Sequence, residues 1–395
     1  MINDWDQHLR ERLRDWARQG LTRKLRCATG SGVRFILDGK DVISFASNDY
    51  LGLATHPLVI AAAKHALDQS GAGAGASPLI IGHRDIHLKL EIALAAFKLT
   101  EAALVFPSGY QAAVATISAL AGATDTILLD RLAHASLLDG ARLSGARVRT
   151  VKHNDINDLE HILDHEKSRR CLVVIESLYS MDGDTPPLAE IARVTRERGA
   201  LLLVDEAHAT GVLGATGRGA LEDIARSEGT LPAQIIAIGT LSKALGSQGG
   251  YLCASRTIVD TLIHAGRAFM FSTALAPAAA AVALAALQLV DREPERRHHL
   301  LAMSARMRAA LEAMKLKTLP GVGPIIPIIA GAEQRAIEWS ERLYDQGLYV
   351  PAIRFPTVKT GQARLRISLN ASHSMDDMET LLTALESVTK DKKKL

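Results

Sequence analysis

The chain has 395 residues, of which 48% are hydrophobic and 23% are charged, a composition typical of a globular protein. Its 46 basic and 43 acidic residues give a net charge of +3, so no single-sign field predicts a nucleic-acid or membrane partner. The three cysteines, Cys27, Cys171 and Cys253, lie far apart without metal-ligand spacing, which predicts no metal site and a reducing, cytoplasmic location.

Residues 1–45 predict an N-terminal unit made of a helix and a short β-hairpin. The first twenty residues are charged and amphipathic and contain no apolar core, so they do not resemble a secretory signal. The hairpin is expected within GVRFILDGKDVISFA, because Asp38 and Gly39 form a typical two-residue turn between β-like runs.

Residues 46–290 predict one large α/β domain, in which short apolar runs alternate with helical patterns. The runs are ALVF (103–106), TILLD (126–130), RVRTV (147–151), CLVVIES (171–177), ALLLVDEAH (200–208), IIAIG (235–239) and GYLCAS (250–255). Their apolar residues are continuous rather than alternating, which predicts a mostly parallel sheet buried on both faces. The longest apolar run, residues 273–290, has Pro277 near its start and predicts a buried helix rather than a membrane span.

Residues 291–395 predict a smaller C-terminal α+β domain. A charged break, DREPERRHHL, precedes a helical run to about residue 315. The β-like runs IIPIIAG (325–331), LYVPAI (348–353) and ARLRISLNASH (363–373) then alternate with further helices.

Polar and hydroxyl residues follow five of the strands predicted in the large domain. The segments are PSGY, RLAHAS, SLYSMDGD, EAHATG and TLSK. Parallel sheets bind ligands at the carboxyl ends of their strands, so these segments predict one shared site.

Two charged residues in these segments predict the chemistry of the site. Lys243 follows the run IIAIG among several glycines, which indicates close backbone approach, and partial desolvation makes a lysine a usable amine nucleophile. Asp205 ends the run LLLVD, where taken alone it would more often be a helix N-cap. Together they predict a pyridoxal 5′-phosphate (PLP) enzyme, because PLP needs a Schiff-base lysine and a carboxylate beside its pyridine nitrogen.

Other strand ends offer candidate cofactor ligands. A strand-to-helix turn suits a phosphate group, since the helix N-terminus presents free amides. A histidine ring can stack on the cofactor, although a lone histidine is more often buried and bonded to backbone. The candidates are Ser108, Gly109 and Tyr110 for the phosphate turn, His134 for stacking, Ser180 and His208 for the phenolic oxygen, and Thr240 and Ser242 beside the lysine.

Several motifs resemble the α-oxoamine synthases, which are fold-type I PLP-dependent transferases. The motifs are NDYLGL at 48, PSGYQA at 107, HASLLDGARLSGA at 134, ESLYSMDGD at 176, VDEAHATGVLGATGRG at 204, GTLSKALGSQGG at 239 and AIRFPTVKTGQARLRISLNASH at 352. The resemblance covers nearly the whole chain in the same order. It implies a homodimer with a shared active site and a decarboxylative condensation of a small-molecule amino acid with an acyl thioester.

The resemblance also implies a role for individual residues. It makes Lys243 the Schiff-base lysine, Asp205 the partner of the pyridine nitrogen and His134 the stacking ring. Gly109 and Tyr110 match the phosphate turn, Ser180 and His208 the phenolic-oxygen contacts, Thr240 a phosphate ligand, Thr273 a phosphate contact from the partner subunit, Arg354 the amino-acid carboxylate ligand, and Arg23, Asn48 and Thr357 further substrate contacts. Lys243, Asp205, His134 and His208 form the expected catalytic set.

The C-terminal motif most resembles family members that join L-alanine to a pimeloyl thioester of coenzyme A or a carrier protein. Members that use glycine or serine with other acyl groups remain an alternative, as do an aminotransferase or lyase of the same fold and a non-catalytic binding protein. The sequence departs from the family at GAGAGASP (71–78), and Phe355 and Lys359 stand where close relatives usually carry prolines.

Overall fold

The computed structural model describes residues 4–390, with only the backbone of the last, so the ends of the predicted segments 1–45 and 291–395 lie outside the described residues. The helices are α1 (Asp4–Arg18), α2 (Pro57–Ser70), α3 (Asp85–Lys98), α4 (Gly109–Leu120), α5 (Ala135–Leu143), α6 (Ile156–Asp164), α7 (Leu188–Glu197), α8 (Glu222–Glu228), α9 (Arg256–Ala265), α10 (Arg267–Met270), α11 (Pro277–Arg292), α12 (Pro294–Ala313), α13 (Glu333–Asp345) and α14 (Met375–Lys390). The strands are β1 (Ala28–Thr29), β2 (Arg34–Leu37), β3 (Lys40–Ser44), β4 (Ala102–Phe106), β5 (Thr126–Asp130), β6 (Arg147–Val151), β7 (Cys171–Glu176), β8 (Leu201–Asp205), β9 (Ile235–Thr240), β10 (Gly250–Ala254), β11 (Ile325–Gly331), β12 (Leu348–Tyr349), β13 (Ala352–Ile353) and β14 (Ala363–Ser368).

The seven apolar runs of the large domain form one sheet in the order β4-β10-β9-β8-β7-β5-β6. Strand β10 is antiparallel to both its neighbours, and the other pairs are parallel. Both faces are buried, because alternate residues of β4 belong to two separate apolar clusters, with Val105 in one and Leu104 in the other. The predicted mostly parallel, doubly covered sheet is confirmed.

The N-terminal segment forms the predicted helix and hairpin. Strands β2 and β3 pair through a turn in which Asp38 and Gly39 both have positive φ angles, of 51° and 85°. This conformation suits Asp-Gly, because glycine has no Cβ to clash and aspartate tolerates the left-handed region. Strand β3 also pairs in parallel with β12, so the N-terminal hairpin shares a sheet with a strand of the C-terminal region.

The C-terminal region contains a three-stranded antiparallel sheet in the order β11-β14-β13. The charged segment 291–300 is not the break that its composition indicates: only Glu293 separates α11 from α12, and Pro294 opens α12, a position where proline costs no hydrogen bond. The apolar run at 273–290 forms α11, a helix with a largely buried surface, as predicted. Among residues 4–390, none of the helices combines the length and apolar character that crossing a membrane requires. The domain boundaries at residues 45 and 290 stay a prediction.

Candidate active site

Three ionisable side chains meet where the central strands of the large sheet end. Glu176 is the last residue of β7 and Asp205 is the last residue of β8, and the two are paired in the strand register. Lys243 follows the end of β9, the next strand in the sheet. Two acidic groups and one amine thus share the carboxyl edge of neighbouring parallel strands.

The Lys243 amine lies in a site that disfavours its charge. Its Nζ atom is 2.7 Å from Nε2 of His208. Burial lowers the pKa of Lys243 to about 8; the Arg366 guanidinium acts in the same direction, and Asp205 and Glu176 oppose it. Part of the lysine is therefore an uncharged amine near neutral pH, which a nucleophilic role requires.

A chain of hydrogen bonds connects this amine to two residues that are distant in the sequence, Asn48 and Arg366. Burial lowers the pKa of His208 well below its usual value, so the ring is neutral. If Lys243 donates to Nε2, Nδ1 must carry the proton and donate to the hydroxyl of Tyr50, 2.6 Å away. The Tyr50 hydroxyl then donates to Oδ1 of Asn48 at 3.1 Å, and Arg366 donates to the same oxygen at 3.2 Å. The network fixes one tautomer of His208.

Asp205 and Glu176 occupy different environments within the acidic pair. Burial raises the pKa of Asp205, while Lys243 and a 2.8 Å hydrogen bond from the backbone N–H of Ala207 lower it. Burial, followed by the charge of Asp205, raises the pKa of Glu176 to about 8. Near neutral pH, Lys243 and the N–H of Ala207 stabilise the carboxylate form of Asp205, whereas Glu176 is mostly protonated.

His134 is placed beside the acidic pair by Glu176. Oε1 of Glu176 accepts the backbone N–H of His134 at 2.7 Å, and the His134 ring caps α5 because its Nδ1 accepts the backbone N–H of Ser136 at 3.3 Å. Burial lowers the pKa of His134, and the charges of Asp205 and Lys243 also act on the ring. Three of the predicted residues, His134, Asp205 and Lys243, are therefore close together.

A second group of predicted residues meets where β4 enters α4. Ser108 caps this helix by accepting the N–H of Gln111 at 3.2 Å. A Cβ atom added at Gly109 would lie 3.1 Å from Cβ of Thr240, and one added at Gly250 would collide with the carbonyl oxygen of Ser108. Gly250 is one of the glycines near Lys243 that were predicted to allow close backbone approach, and it does so here, next to the helix N-terminus that packs against Thr240.

Thr240 and Ser242 form a hydroxyl pair on the same side of the site. Their oxygens are 2.6 Å apart, and Thr240 also donates to the carbonyl oxygen of Gly249 at 2.8 Å. Helix N-termini, backbone amides and hydroxyl groups are common phosphate ligands. Ser180 lies on the other side of Asp205, after β7, where its carbonyl oxygen accepts from Nε of Arg366 at 2.6 Å.

Other candidates do not join this cluster. Tyr110 is half-exposed, and its hydroxyl donates to Asp139 at 2.6 Å. Thr273, Arg23 and Thr357 are exposed.

The guanidinium of Arg354 binds backbone carbonyl groups of the N-terminal segment. It donates to the carbonyl oxygens of Gly20 and Thr22, the latter at 3.2 Å, and so ties the C-terminal region to the segment after α1. These contacts leave the predicted role in carboxylate binding untested.

Glu176, Tyr50 and Arg366 were not among the residues singled out in the sequence. Glu176 had a signal equal to that of Asp205, since both end an apolar run. Arg366 lies inside β14, where all six residues are buried, and is only 5% exposed. An arginine within an apolar strand indicates a buried charge with a specific purpose, because such residues are rarely buried unless paired.

Comparison with known proteins places the chain in a family. Residues 40–385 match the family model "Aminotransferase class I and II". The 8-amino-7-oxononanoate synthase of Geotalea daltonii is 44% identical over 383 residues, covering 96% of each chain.

Two solved structures extend the comparison. A serine palmitoyltransferase from S. paucimobilis, solved with a bound PLP–myriocin aldimine, superposes with a TM-score of 0.89 at 31% identity, covering 96% of each chain. The 8-amino-7-oxononanoate synthase of Francisella tularensis superposes with a TM-score of 0.75 at 28% identity, covering 88% of this chain and 97% of its own. The family expected from the sequence motifs is confirmed: the chain belongs to the aminotransferase class I and II family, in the group that the α-oxoamine synthases form.

Proposed function

We propose that the chain is a PLP-dependent acyltransferase of biotin biosynthesis. It condenses L-alanine with the pimeloyl thioester of coenzyme A or of a carrier protein and releases 8-amino-7-oxononanoate, carbon dioxide and the free thiol. The observation that carries the proposal is the Lys243 amine, held 2.7 Å from neutral His208, with Asp205 on the neighbouring strand. The 44% identity to an 8-amino-7-oxononanoate synthase over 96% of the chain supports the substrate pair.

The residues fit PLP on their own geometry. Lys243 would hold the cofactor covalently, the Asp205 carboxylate would face its pyridine nitrogen, and the turn at Gly109 with Thr240 would bind its phosphate. A Cβ atom at Gly109 would lie 3.1 Å from Cβ of Thr240, so glycine lets the start of α4 pack tightly against Thr240, and the free amides of this helix N-terminus suit a phosphate. When bound, PLP supplies an electron sink for charge that develops at the α-carbon of the amino acid.

The side chains of the chain account for the proton transfers. The Lys243 amine, with a pKa of about 8, would be suited to remove the α-proton of the amino acid and to return a proton after carbon dioxide leaves. His208 accepts a hydrogen bond from that amine, and Tyr50 fixes its ring. Asp205 holds the negative charge that keeps the cofactor ring protonated.

The carboxylate of the amino acid needs a cationic partner near Lys243. Arg354 is the partner implied by family resemblance, and its guanidinium is occupied by two backbone carbonyl groups. Arg366 is buried, and its charge acts on both Lys243 and His208. Both arginines are candidate ligands of the amino-acid carboxylate, and substitution of each one distinguishes between them.

The assembly is proposed to be a cytoplasmic homodimer with shared sites. Support comes from the apolar side chains of Ile80, Ile81 and Phe271, which are each about 70% exposed. Phe271 lies two residues before Thr273, and the turn that contains Ile80 and Ile81 contacts α10, the helix just before Phe271. A second copy that covers this surface would bring Thr273 to the phosphate side of the partner's site.

A substrate panel tests the proposed function. The purified holoenzyme is given carboxyl-labelled alanine, glycine or serine with acetyl, succinyl, pimeloyl or palmitoyl thioesters, and release of labelled carbon dioxide is measured. Alanine with pimeloyl-coenzyme A is expected to give the highest kcat/KM. Another α-oxoamine synthase activity is correct if glycine with a short acyl donor, or serine with palmitoyl-coenzyme A, is faster.

A further inference from the structure

A cavity of about 310 Å³ lies between the carboxyl edge of the large sheet and the segment after β13. Ala133, next to His134, and Ser180 line it on the sheet side, and Thr357 and Lys359 line it on the C-terminal side. Ser180 also accepts a hydrogen bond from Arg366, whose charge acts on Lys243. The cavity therefore lies beside the candidate active site, at the same edge of the sheet.

The strand order separates this cavity from the proposed phosphate turn. The turn follows β4 at one edge of the sheet, whereas the cavity borders the ends of β5 and β7, on the far side of β8 and Asp205. Neighbouring strands are about 4.8 Å apart, so β4 and β7 are separated by about 19 Å. A ligand in the cavity would reach the reacting atoms from the side opposite the cofactor phosphate.

The cavity carries an excess of positive charge. Arg131, Lys359 and Arg364 line it, together with one carboxylate, Asp182. Arg364 is paired with Asp182, and it also donates to the carbonyl oxygen of Met181 at 3.2 Å. Within residues 4–390, Arg131 and Lys359 form no ion pair with any carboxylate. Two cations are left to bind an anion.

The rest of the lining is suited to an alkyl chain. Leu132, Met181 and Val358 contribute apolar surface to the same cavity. An apolar wall that ends in unpaired cations matches a ligand with methylene groups and a terminal negative charge. The volume suffices for part of an acyl thioester but is too small for a whole coenzyme A.

We propose that this cavity binds the anion-bearing portion of the acyl thioester donor, with Lys359 and Arg131 as its charge partners. The inference rests on the proposed function, because it concerns the donor of that reaction. The anion is either the distal carboxylate of a dicarboxylic acyl chain or a phosphate group of coenzyme A or of a carrier protein's phosphopantetheine arm.

Equilibrium binding tests the cavity without requiring turnover. The Kd of pimeloyl-coenzyme A for the holoenzyme is measured for the native protein and for Lys359→Met, Arg131→Met and Lys359→Arg. Lys317→Met is the matched control, because Lys317 is an exposed lysine of the C-terminal region that does not line the cavity. Each methionine variant in the cavity is expected to raise Kd about fivefold, and Lys359→Arg and Lys317→Met to leave it within twofold. An unchanged Kd in both cavity variants overturns the proposal.

Donors that lack one charge identify the anion. Heptanoyl-coenzyme A has the same chain length as the pimeloyl thioester without the distal carboxylate, and pimeloyl-pantetheine lacks every phosphate. If the carboxylate is the ligand, Lys359→Met has no effect on heptanoyl-coenzyme A and still weakens pimeloyl-pantetheine; if a phosphate is the ligand, the pattern reverses. Equal losses with all donors contradict charge recognition in the cavity.

Steady-state kinetics separates this proposal from the proposed function. In Lys359→Met, the KM of the thioester is expected to rise about fivefold while the KM of alanine stays within twofold. A native enzyme that binds pimeloyl-coenzyme A through Lys359 but forms no product would refute the proposed function and keep the cavity assignment. Normal turnover of the native enzyme, with no effect of Lys359→Met on the thioester, would support the proposed function and refute the cavity assignment.

Discussion

Nζ of Lys243 lies 2.7 Å from Nε2 of His208, and the histidine ring is neutral. A neutral imidazole accepts a hydrogen bond from the amine without adding a negative charge that would stabilise the ammonium form. Burial and the charge of Arg366 leave Lys243 with a pKa of about 8 instead of 10.5, although Asp205 and Glu176 oppose the shift. The same hydrogen bond orients the amine, because His208 is itself fixed by Tyr50.

Lys243→Ala is expected to abolish turnover and the visible absorbance of protein-bound PLP. The segment 235–252 contains no other lysine that could replace the amine. Absorbance spectra of the purified variant and single-turnover assays check this result. Full activity in a folded variant would contradict the role of Lys243, and circular dichroism verifies that the fold is retained.

The reaction of cofactor-free protein with PLP should depend on pH through the Lys243 amine. Because the folded pKa of Lys243 is about 8, the rate constant is expected to rise about tenfold per pH unit below 8 and to level off above it. The Asp205 carboxylate raises this pKa, so Asp205→Asn should move the inflection to lower pH. Stopped-flow absorbance over pH 6 to 10 measures both curves. An inflection at higher pH in Asp205→Asn would contradict the assigned electrostatics.

Glu176→Gln should become more stable relative to the native protein as pH rises from 5 to 8. Folding raises the pKa of Glu176 from 4.5 to about 8, so its contribution to stability is complete below pH 4.5 and is lost as pH rises through 8. Glutamine does not titrate, and its oxygen can still accept the N–H of His134. The gain is expected to be on the order of 3 kcal/mol between pH 5 and pH 8.

Chemical denaturation at pH 5 and pH 8 measures the effect of Glu176→Gln. Glu190→Gln is the control, because Glu190 is an exposed glutamate of α7. A relative stability of Glu176→Gln that stays constant or falls from pH 5 to pH 8 would show that Glu176 is already ionised in the folded protein at pH 5.

The local part of the site could be predicted from the sequence. Asp205 and Lys243 each end or follow a continuous apolar run, and the direction of parallel strands brings such residues to one edge of the sheet. The hairpin at Asp38 and Gly39 likewise has a local signal, because both turn residues adopt positive φ angles. In these cases, the structural feature depends on residues that are close together in the sequence.

The long-range part of the site could not be predicted. Tyr50 and His208 are 158 positions apart, and Arg366 and Asn48 are 318 positions apart. Their contacts depend on how β14 and the segment after β3 pack over the sheet, which no periodicity in either segment encodes. Glu176 differs, because its position at a strand end is evident from the sequence, whereas its raised pKa depends on burial and on the nearby charge of Asp205.

Arg366→Lys and Arg354→Lys together decide which arginine binds the amino-acid carboxylate. Arg366 is buried within the network that reaches Lys243, so its replacement is expected to raise the KM of alanine at least tenfold, since a lysine cannot form a bidentate carboxylate contact. Arg354→Lys should raise it less, because that guanidinium binds the carbonyl groups of Gly20 and Thr22.

The thioester KM is the internal control for the two arginine variants, and it is expected to change less than twofold. The melting temperature of each variant shows whether a loss reflects unfolding. A larger alanine effect in Arg354→Lys would favour the role implied by family resemblance. Equal effects on alanine and thioester would indicate a structural role for both arginines.

Thr273 tests the shared-site dimer, because it is exposed in the isolated chain and is proposed to bind the cofactor phosphate of the partner. Thr273→Ala should weaken PLP retention. In a heterodimer of Thr273→Ala with Lys243→Ala, one site lacks both residues and the other has native Lys243 from one subunit and native Thr273 from its partner. Subunits of the two variants are exchanged by denaturing and refolding a mixture. One site in each heterodimer is then expected to regain native PLP affinity and turnover. Differently tagged subunits allow the heterodimer to be purified before assay. If Thr273 acts within its own subunit, the site with native Lys243 keeps the alanine at 273 and its PLP affinity stays as weak as in the Thr273→Ala homodimer.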